Sequence, residues 1–271
     1  MNPFSTSSLS PIQLTKQHLV QMKGRRKIYL TLYNSLETLE WIYLLLFRTF
    51  QPFIEKHSCR AKFRKDVADR IASKRNSLWQ LNGQFLKKLQ TSALLETVHS
   101  AIGLTNAPTA TTLGQTCGRL FITWLIGDDL PTNDLVTDGL MTSLQTSWAL
   151  ADIIRYLFYI SQMWENNTVL QNEKLSAIGK VLKFLRYNGF LVLYPIGMLS
   201  EIGLVLRVVF TQWLTSTNEE NNESGRKRRV KPNIYPLYKK ILIVFFFVFI
   251  VGYGYPTVYL YMLSQRKKQR F

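Results

Sequence analysis

Cysteine and histidine are nearly missing from this 271-residue chain, which holds two of the first and three of the second. Cys59 and Cys117 build neither a disulfide framework nor a cysteine-rich zinc pattern. Neither opens the Cys-x5-Arg loop of a thiol phosphatase, since Lys65 and Thr123 stand where the arginine would be. His18, His57 and His99 are too few for the clustered ligands of a histidine-rich membrane iron oxygenase. No phosphate-cradling P-loop, no GxGxxG pattern and no internal repeat is present. The first twenty residues lack the charged start and apolar run of a cleaved signal peptide. Acidic residues are scarce as well, 17 against 34 basic ones, for a net charge of +17. That excess sits in Lys23–Lys27, Lys56–Arg75, Arg226–Lys231 and Arg266–Arg270. Nucleic acid is excluded as a partner, because no helix or sheet among the apolar blocks is free to read bases.

What the chain has in quantity is apolar sequence. Ile241–Leu263 runs without a charge for the length of a bilayer crossing. Ile28–Phe50 comes close, interrupted by Glu37, Glu40 and Arg48. Leu144–Met163 and Asn188–Leu206 carry a few polar residues, and Ala93–Pro108 and Leu113–Ile126 are shorter. Six spans are expected, in an all-α six-transmembrane-helix bundle embedded in membrane lipid. An N-terminal tail 1–27, a six-span domain 28–263 and a basic tail 264–271 follow from these bounds, with a basic connector at about 51–91. Basic termini favour a cytosolic placement of both ends, although the first and fifth connectors are basic too. Within the first connector, Glu55–Lys88 reads as an amphipathic helix fit to lie on a membrane surface.

One residue stands out inside these runs. Glu201 interrupts the apolar stretch Phe190–Leu206. A carboxylate at that depth costs about 3 kcal/mol even on lenient insertion scales, so such groups face a bundle interior and mark function. Tyr194 lies seven residues earlier, about two helical turns, and helical side chains lean toward the N-terminus. The phenol and the carboxyl therefore share a face. Pro195 removes a backbone hydrogen bond beside Tyr194 and kinks the helix there.

Other polar residues gather by spacing. Asp152, Arg155, Tyr156 and Tyr159 stand at i, i+3, i+4 and i+7 on one face. The Asp152–Arg155 pair is either a structural ion pair or a substrate clamp. Arg119 can reach a phosphate or thioester, or snorkel to the interface. Lys183 and Arg186 read as interface anchors, with Arg186 two turns from Tyr194. Glu96 and His99 form a single Glu-x-x-His pair, whereas bundled di-iron sites use that motif twice with two further glutamates. A hydrogen-bonded contact between helices is the expected use, and no metal is expected.

These blocks, taken in order, resemble the membrane 3-hydroxyacyl-CoA dehydratases, also called protein tyrosine phosphatase-like proteins. The resemblance begins at Tyr29-Leu-Thr-Leu-Tyr33-Asn34 and passes through Leu95–Leu104, Thr112–Arg119 and Ile154–Tyr159. It continues through Leu185–Asn188 into Leu193-Tyr194-Pro195-Ile-Gly197-Met-Leu-Ser-Glu201 and ends at Tyr261–Lys268. The Tyr-Pro-x-Gly-x-x-x-Glu segment is its most specific part. Two departures are visible: Asp152 stands where the family usually has glutamate, and the stretches near Cys59–Trp79 and in the fifth connector look like insertions.

The resemblance implies a multi-pass endoplasmic reticulum enzyme with an intramembrane active-site cavity. It implies removal of water from a long-chain (3R)-3-hydroxyacyl-CoA, giving the trans-2-enoyl-CoA, as the third step of very-long-chain fatty acid elongation. The family's catalytic pair maps onto Tyr194 and Glu201. Its arginines map onto Arg119, Arg155 and Arg186, which with Tyr156 form the expected contacts to CoA or thioester. No cofactor is required, and other elongation enzymes are the expected partners. The alternative is a catalytically inactive scaffold of the elongation complex. Elimination needs a base for the C2 proton and an acid for the departing hydroxyl. Glu201 is read as the proton-transfer group with Tyr194 as its partner, and the sequence does not say which is the base.

Overall fold

The structure, a computed structural model, describes residues 11–50, 77–105, 108–132, 134–165, 173–222 and 237–268. The basic stretches Lys56–Arg75 and Arg226–Lys231, together with His57 and Cys59, lie outside the described residues. Every described element is helical. Helix α1, Pro11–Tyr43, runs on into π-helical turns at Leu44–Phe50. Helices α2, Leu78–Ser92, and α3, Leu94–Ala101, follow, and Gly103 ends that arm at a φ of 72°, a left-handed turn suited to glycine. Helix α4, Thr109–Leu120, widens into π-helical turns at Phe121–Ile126 and then tightens to a 3₁₀ turn at Gly127–Asp129. Helix α5 spans Leu135–Glu165, α6 spans Glu173–Asn188, and α7 spans Phe190–Asn222 with Pro195 inside it. Helix α8, Leu237–Phe245, becomes π-helical over Phe246–Gly254 and resumes as α9, Tyr255–Lys268.

Helix α5 is the central post, packed against α1, α6 and α7. Its buried Met141, Leu144, Trp148 and Ala149 meet Trp41 from α1, Leu44 from the π-helical turns that follow it, and Leu204, Val205 and Val208 from α7. Buried polar side chains are threaded between these contacts. The Thr49 hydroxyl donates to Gln145 Oε1 at 2.8 Å, and the Asn82 amide donates to the same oxygen at 3.0 Å. That triad ties α1, α2 and α5 together at the end of the bundle away from Lys27. At the other end, the Arg26 guanidinium donates to the Leu104 carbonyl at 2.6 Å, satisfying backbone left open past the end of α3.

The outward faces are apolar. Leu32, Leu36 and Leu39 on α1, Val192, Leu199 and Leu206 on α7, and Val244 and Val248 farther on are all exposed. Contiguous exposed apolar faces of this extent need a cover other than water. Among the described residues, two helices are long and apolar enough to cross a membrane, Phe190–Leu214 and Leu237–Lys268. The other four expected spans are less uniform for a visible reason. Glu37, Arg119, Asp152 and Arg155 interrupt them at interior positions, and Ala93–Pro108 coincides with the short helix α3 and its turn.

The expected surface helix over Glu55–Lys88 finds a different outcome in its described part. Helix α2 begins at Leu78 under a Ser77–Gln80 capping box. Its Leu78, Leu86 and Leu89 are buried in the core and do not lie on a surface. Tryptophan packing against glycine fixes where α2 meets α4. A Cβ on Gly127 would stand 2.1 Å from the Trp79 ring, so only glycine admits the indole. Trp79 Nε1 then donates to Asp128 Oδ1 at 3.2 Å, and Lys87 Nζ pairs with Asp128 at 2.7 Å. Gly127→Ala should lower stability by about 1–3 kcal/mol through overpacking. Gly139→Ala, where nothing lies within 4 Å, should be neutral or gain about 1 kcal/mol of helix propensity. Thermal melts of the two detergent-purified variants check this; equal midpoints would show that Trp79 yields without cost.

Candidate active site

Glu201 lies inward on α7 and is 6% exposed. Both of its oxygens are held. Trp148 Nε1 from α5 donates to Oε1 at 3.0 Å, and the Tyr255 hydroxyl at the start of α9 donates to Oε2. Tyr194 lies two turns back along α7, and its hydroxyl donates to the main-chain carbonyl of Tyr255 at 3.0 Å. Its ring meets the Tyr255 ring edge-on with centroids 6.0 Å apart and stacks on Tyr259 at 5.7 Å. Phenol and carboxyl thus converge, as the spacing of seven predicts, but they are joined through Tyr255 and make no direct hydrogen bond.

Both side chains line one cavity of about 1210 Å³. Arg119, Arg155, Arg186 and Tyr156 line it too, so the structure brings all six expected residues together. Arg119 Nη1 pairs with Asp152 Oδ2 at 2.5 Å, and its guanidinium lies 5.1 Å from the centroid of the Trp148 ring. Asp152 also pairs with Arg155 at 3.1 Å, as the i, i+3 spacing predicts. Arg155 Nη2 reaches Glu96 at 2.7 Å and donates to the Tyr156 hydroxyl at 3.0 Å, while Tyr156 donates to Glu96. A polar chain therefore runs along the cavity wall from Glu201 through Trp148 and Arg119 to Asp152, Arg155 and Glu96.

Glu96 and His99 part company in this arrangement. His99 Nε2 meets the Tyr29 hydroxyl at 2.8 Å, and the Tyr33 ring packs edge-on against the imidazole. Each residue makes a contact between helices, with different partners. Among the described residues, no three His, Cys, Asp or Glu side chains come together as a metal site would need. The Arg186 side chain, at the last turn of α6, makes no hydrogen bond or ion pair among the described residues, unlike Arg26, Arg119 and Arg155, which line the same cavity. The buried Nε of Arg155 makes no hydrogen bond among the described residues.

Three members escaped the sequence reading. Tyr255 carried no signal beyond its place before Pro256 in the last apolar run, 54 residues from Glu201. Trp148 reads as a core aromatic, and only its indole N–H distinguishes it. Glu96 was visible but matched with His99, because a helical spacing reports a shared face and not the helix opposite.

The described structure is thus a helical protein with apolar outward faces, in which a buried carboxyl, phenols and ion-paired arginines line one cavity. The model of the family "Protein tyrosine phosphatase-like protein, PTPLA" matches residues 90–270. The chain is 31% identical over 248 residues to the very-long-chain (3R)-3-hydroxyacyl-CoA dehydratase PASTICCINO 2 of Arabidopsis thaliana, covering 90% of this chain and 93% of that protein. It is 28% identical over 243 residues to PASTICCINO 2A of rice, covering 90% and 93%. With the mouse very-long-chain (3R)-3-hydroxyacyl-CoA dehydratase 1 it shares 26% identity over 244 residues, covering 89% and 72%. No solved structure gives a significant match. The chain belongs to the PTPLA, protein tyrosine phosphatase-like, family.

Proposed function

We propose that this protein is a hydro-lyase that converts a long-chain (3R)-3-hydroxyacyl-CoA to the trans-2-enoyl-CoA, the third step of very-long-chain fatty acid elongation. The observation that carries this reading is the convergence of Tyr194 and Glu201 on one cavity. The dehydratase names of the relatives support it independently. The enzyme acts as a six-span bundle over 28–263 in the endoplasmic reticulum membrane, with both tails cytosolic and other elongation enzymes as partners.

In the reaction the thioester acidifies the C2 hydrogen. Glu201 takes that proton, the C2–C3 double bond forms, and the C3–O bond breaks with its electron pair leaving on oxygen. Tyr194 supplies a proton to the departing hydroxyl, so water leaves, and proton return from Glu201 resets the pair. Nothing is oxidised or reduced, so the chemistry calls for no cofactor. The polyanionic CoA head belongs near Arg186, which lines the cavity and whose side chain makes no hydrogen bond or ion pair among the described residues. Arg119, Arg155 and Tyr156 face the thioester region of the substrate.

Incubating the purified protein with a long-chain (3R)-3-hydroxyacyl-CoA and following loss of water by mass tests the reading. Enoyl-CoA formation is expected, and unchanged substrate at high enzyme concentration would defeat it. Arg186→Ala should raise KM about tenfold, equivalent to about 1.4 kcal/mol of lost substrate binding, with kcat little changed. Unchanged steady-state kinetics in that variant would return Arg186 to the role of an interface anchor.

A further inference from the structure

Among the described residues, Tyr255 hydrogen-bonds to both members of the proposed catalytic pair. It opens α9 directly after the π-helical stretch Phe246–Gly254 and precedes Pro256. Its hydroxyl donates to Glu201 Oε2, and its carbonyl accepts from the Tyr194 hydroxyl at 3.0 Å. The Tyr255 ring lies edge-on to Tyr194 and, with centroids 6.4 Å apart, edge-on to the buried Phe246. The ring is therefore held by packing, and its hydroxyl is not free to swing away.

Trp148 donates to one Glu201 oxygen and Tyr255 to the other. Two donors from different helices, α5 and α9, fix the plane of the carboxylate. A carboxyl held by one donor rotates about its terminal torsion, which is broad and roughly two-fold. General-base geometry is sensitive to such freedom, and a misplacement of about 1 Å costs about a hundredfold in rate. A functional group needs neighbours that lock its rotamer, and here the lock comes from the last helix.

We infer that Tyr255 is a positioning residue for the dehydration: it orients the Glu201 carboxylate through its hydroxyl and anchors the Tyr194 hydroxyl through its main-chain carbonyl. This rests on the dehydratase reading. Tyr255→Phe separates the two contributions, since it removes the hydroxyl but keeps the ring and the carbonyl.

The experiment compares full-length wild type, Tyr255→Phe and Tyr259→Phe on a long-chain (3R)-3-hydroxyacyl-CoA across pH. Tyr259 keeps its ring stack on Tyr194 in the phenylalanine variant and lies outside the cavity lining, so wild-type kinetics are expected there. Tyr255→Phe should lower kcat about tenfold to a hundredfold with KM within about twofold. The pH profile of kcat should be displaced in Tyr255→Phe alone. A packing role would leave that profile in place, so wild-type kcat or an unmoved profile in Tyr255→Phe overturns the assignment. Should Tyr255→Phe fail to fold, a ring-fluorinated tyrosine at 255 keeps shape and donor while changing acidity. A displaced profile there supports the role and an unmoved one refutes it. A wild-type protein without turnover would instead sink the dehydratase reading itself.

Discussion

Glu201→Gln should abolish measurable turnover, a loss of at least about a thousandfold, while leaving the protein folded. Glutamine keeps the shape of the carboxyl: its amide oxygen can accept from Trp148, and its amide nitrogen can donate to the Tyr255 hydroxyl. What it cannot do is take up the C2 proton. A positioned acid or base contributes about a hundredfold to ten-thousandfold, and Glu201 is asked to move a proton in both halves of the cycle. Tyr194→Phe should cost about a hundredfold or more on the same grounds, without disturbing the ring stack on Tyr259. Single-turnover measurements with matched melting curves check both variants. Wild-type-like rates in Glu201→Gln would remove it from the chemistry and leave a buried acid that merely joins three helices.

The second large effect concerns stability. Asp152 is 3% exposed and accepts from both Arg119 and Arg155. Asp152→Ala should destabilise the protein by about 3–5 kcal/mol, because it removes the carboxylate paired with both Arg119 and Arg155 and leaves their buried guanidinium charge under-compensated. Replacing one partner is worse than never having the pair, since the remaining charge stays desolvated. Asp152→Glu restores the charge with one more methylene and should recover most of the loss. Denaturant or thermal midpoints of the purified variants measure this. An Asp152→Ala midpoint equal to wild type would mean that the arginines find other partners and that the ion network does not hold α4 to α5.

How much of this was legible in the sequence depends on the range of each interaction. Contacts along one helix were readable. The spacing of Tyr194 and Glu201 places both on one wall, and the spacing of Asp152 and Arg155 gives an ion pair at 3.1 Å. Contacts between helices were not, because periodicity gives a face and not its neighbour. Asp152 has its shorter contact with Arg119, 33 residues away, and Glu96 turns to Arg155, 59 residues away. Tyr255 shows the limit best. A tyrosine in an aromatic-rich apolar run looks like lipid-facing filler, and only the crossing of α9 over α7 brings its hydroxyl to Glu201. The apolar runs marked where helices lie, but the polar residues that break those runs are the ones that organise the cavity.

The most direct test of the central claim is heavy-oxygen exchange. Purified protein is held with a (3R)-3-hydroxyacyl-CoA in heavy-oxygen water, and the hydroxyl at C3 is assayed by mass. Reversible elimination across C2–C3 through Tyr194 and Glu201 predicts incorporation with the wild type and none with the Tyr194→Phe, Glu201→Gln double variant. Incorporation that persists in the double variant, or none with the folded wild type, would contradict it.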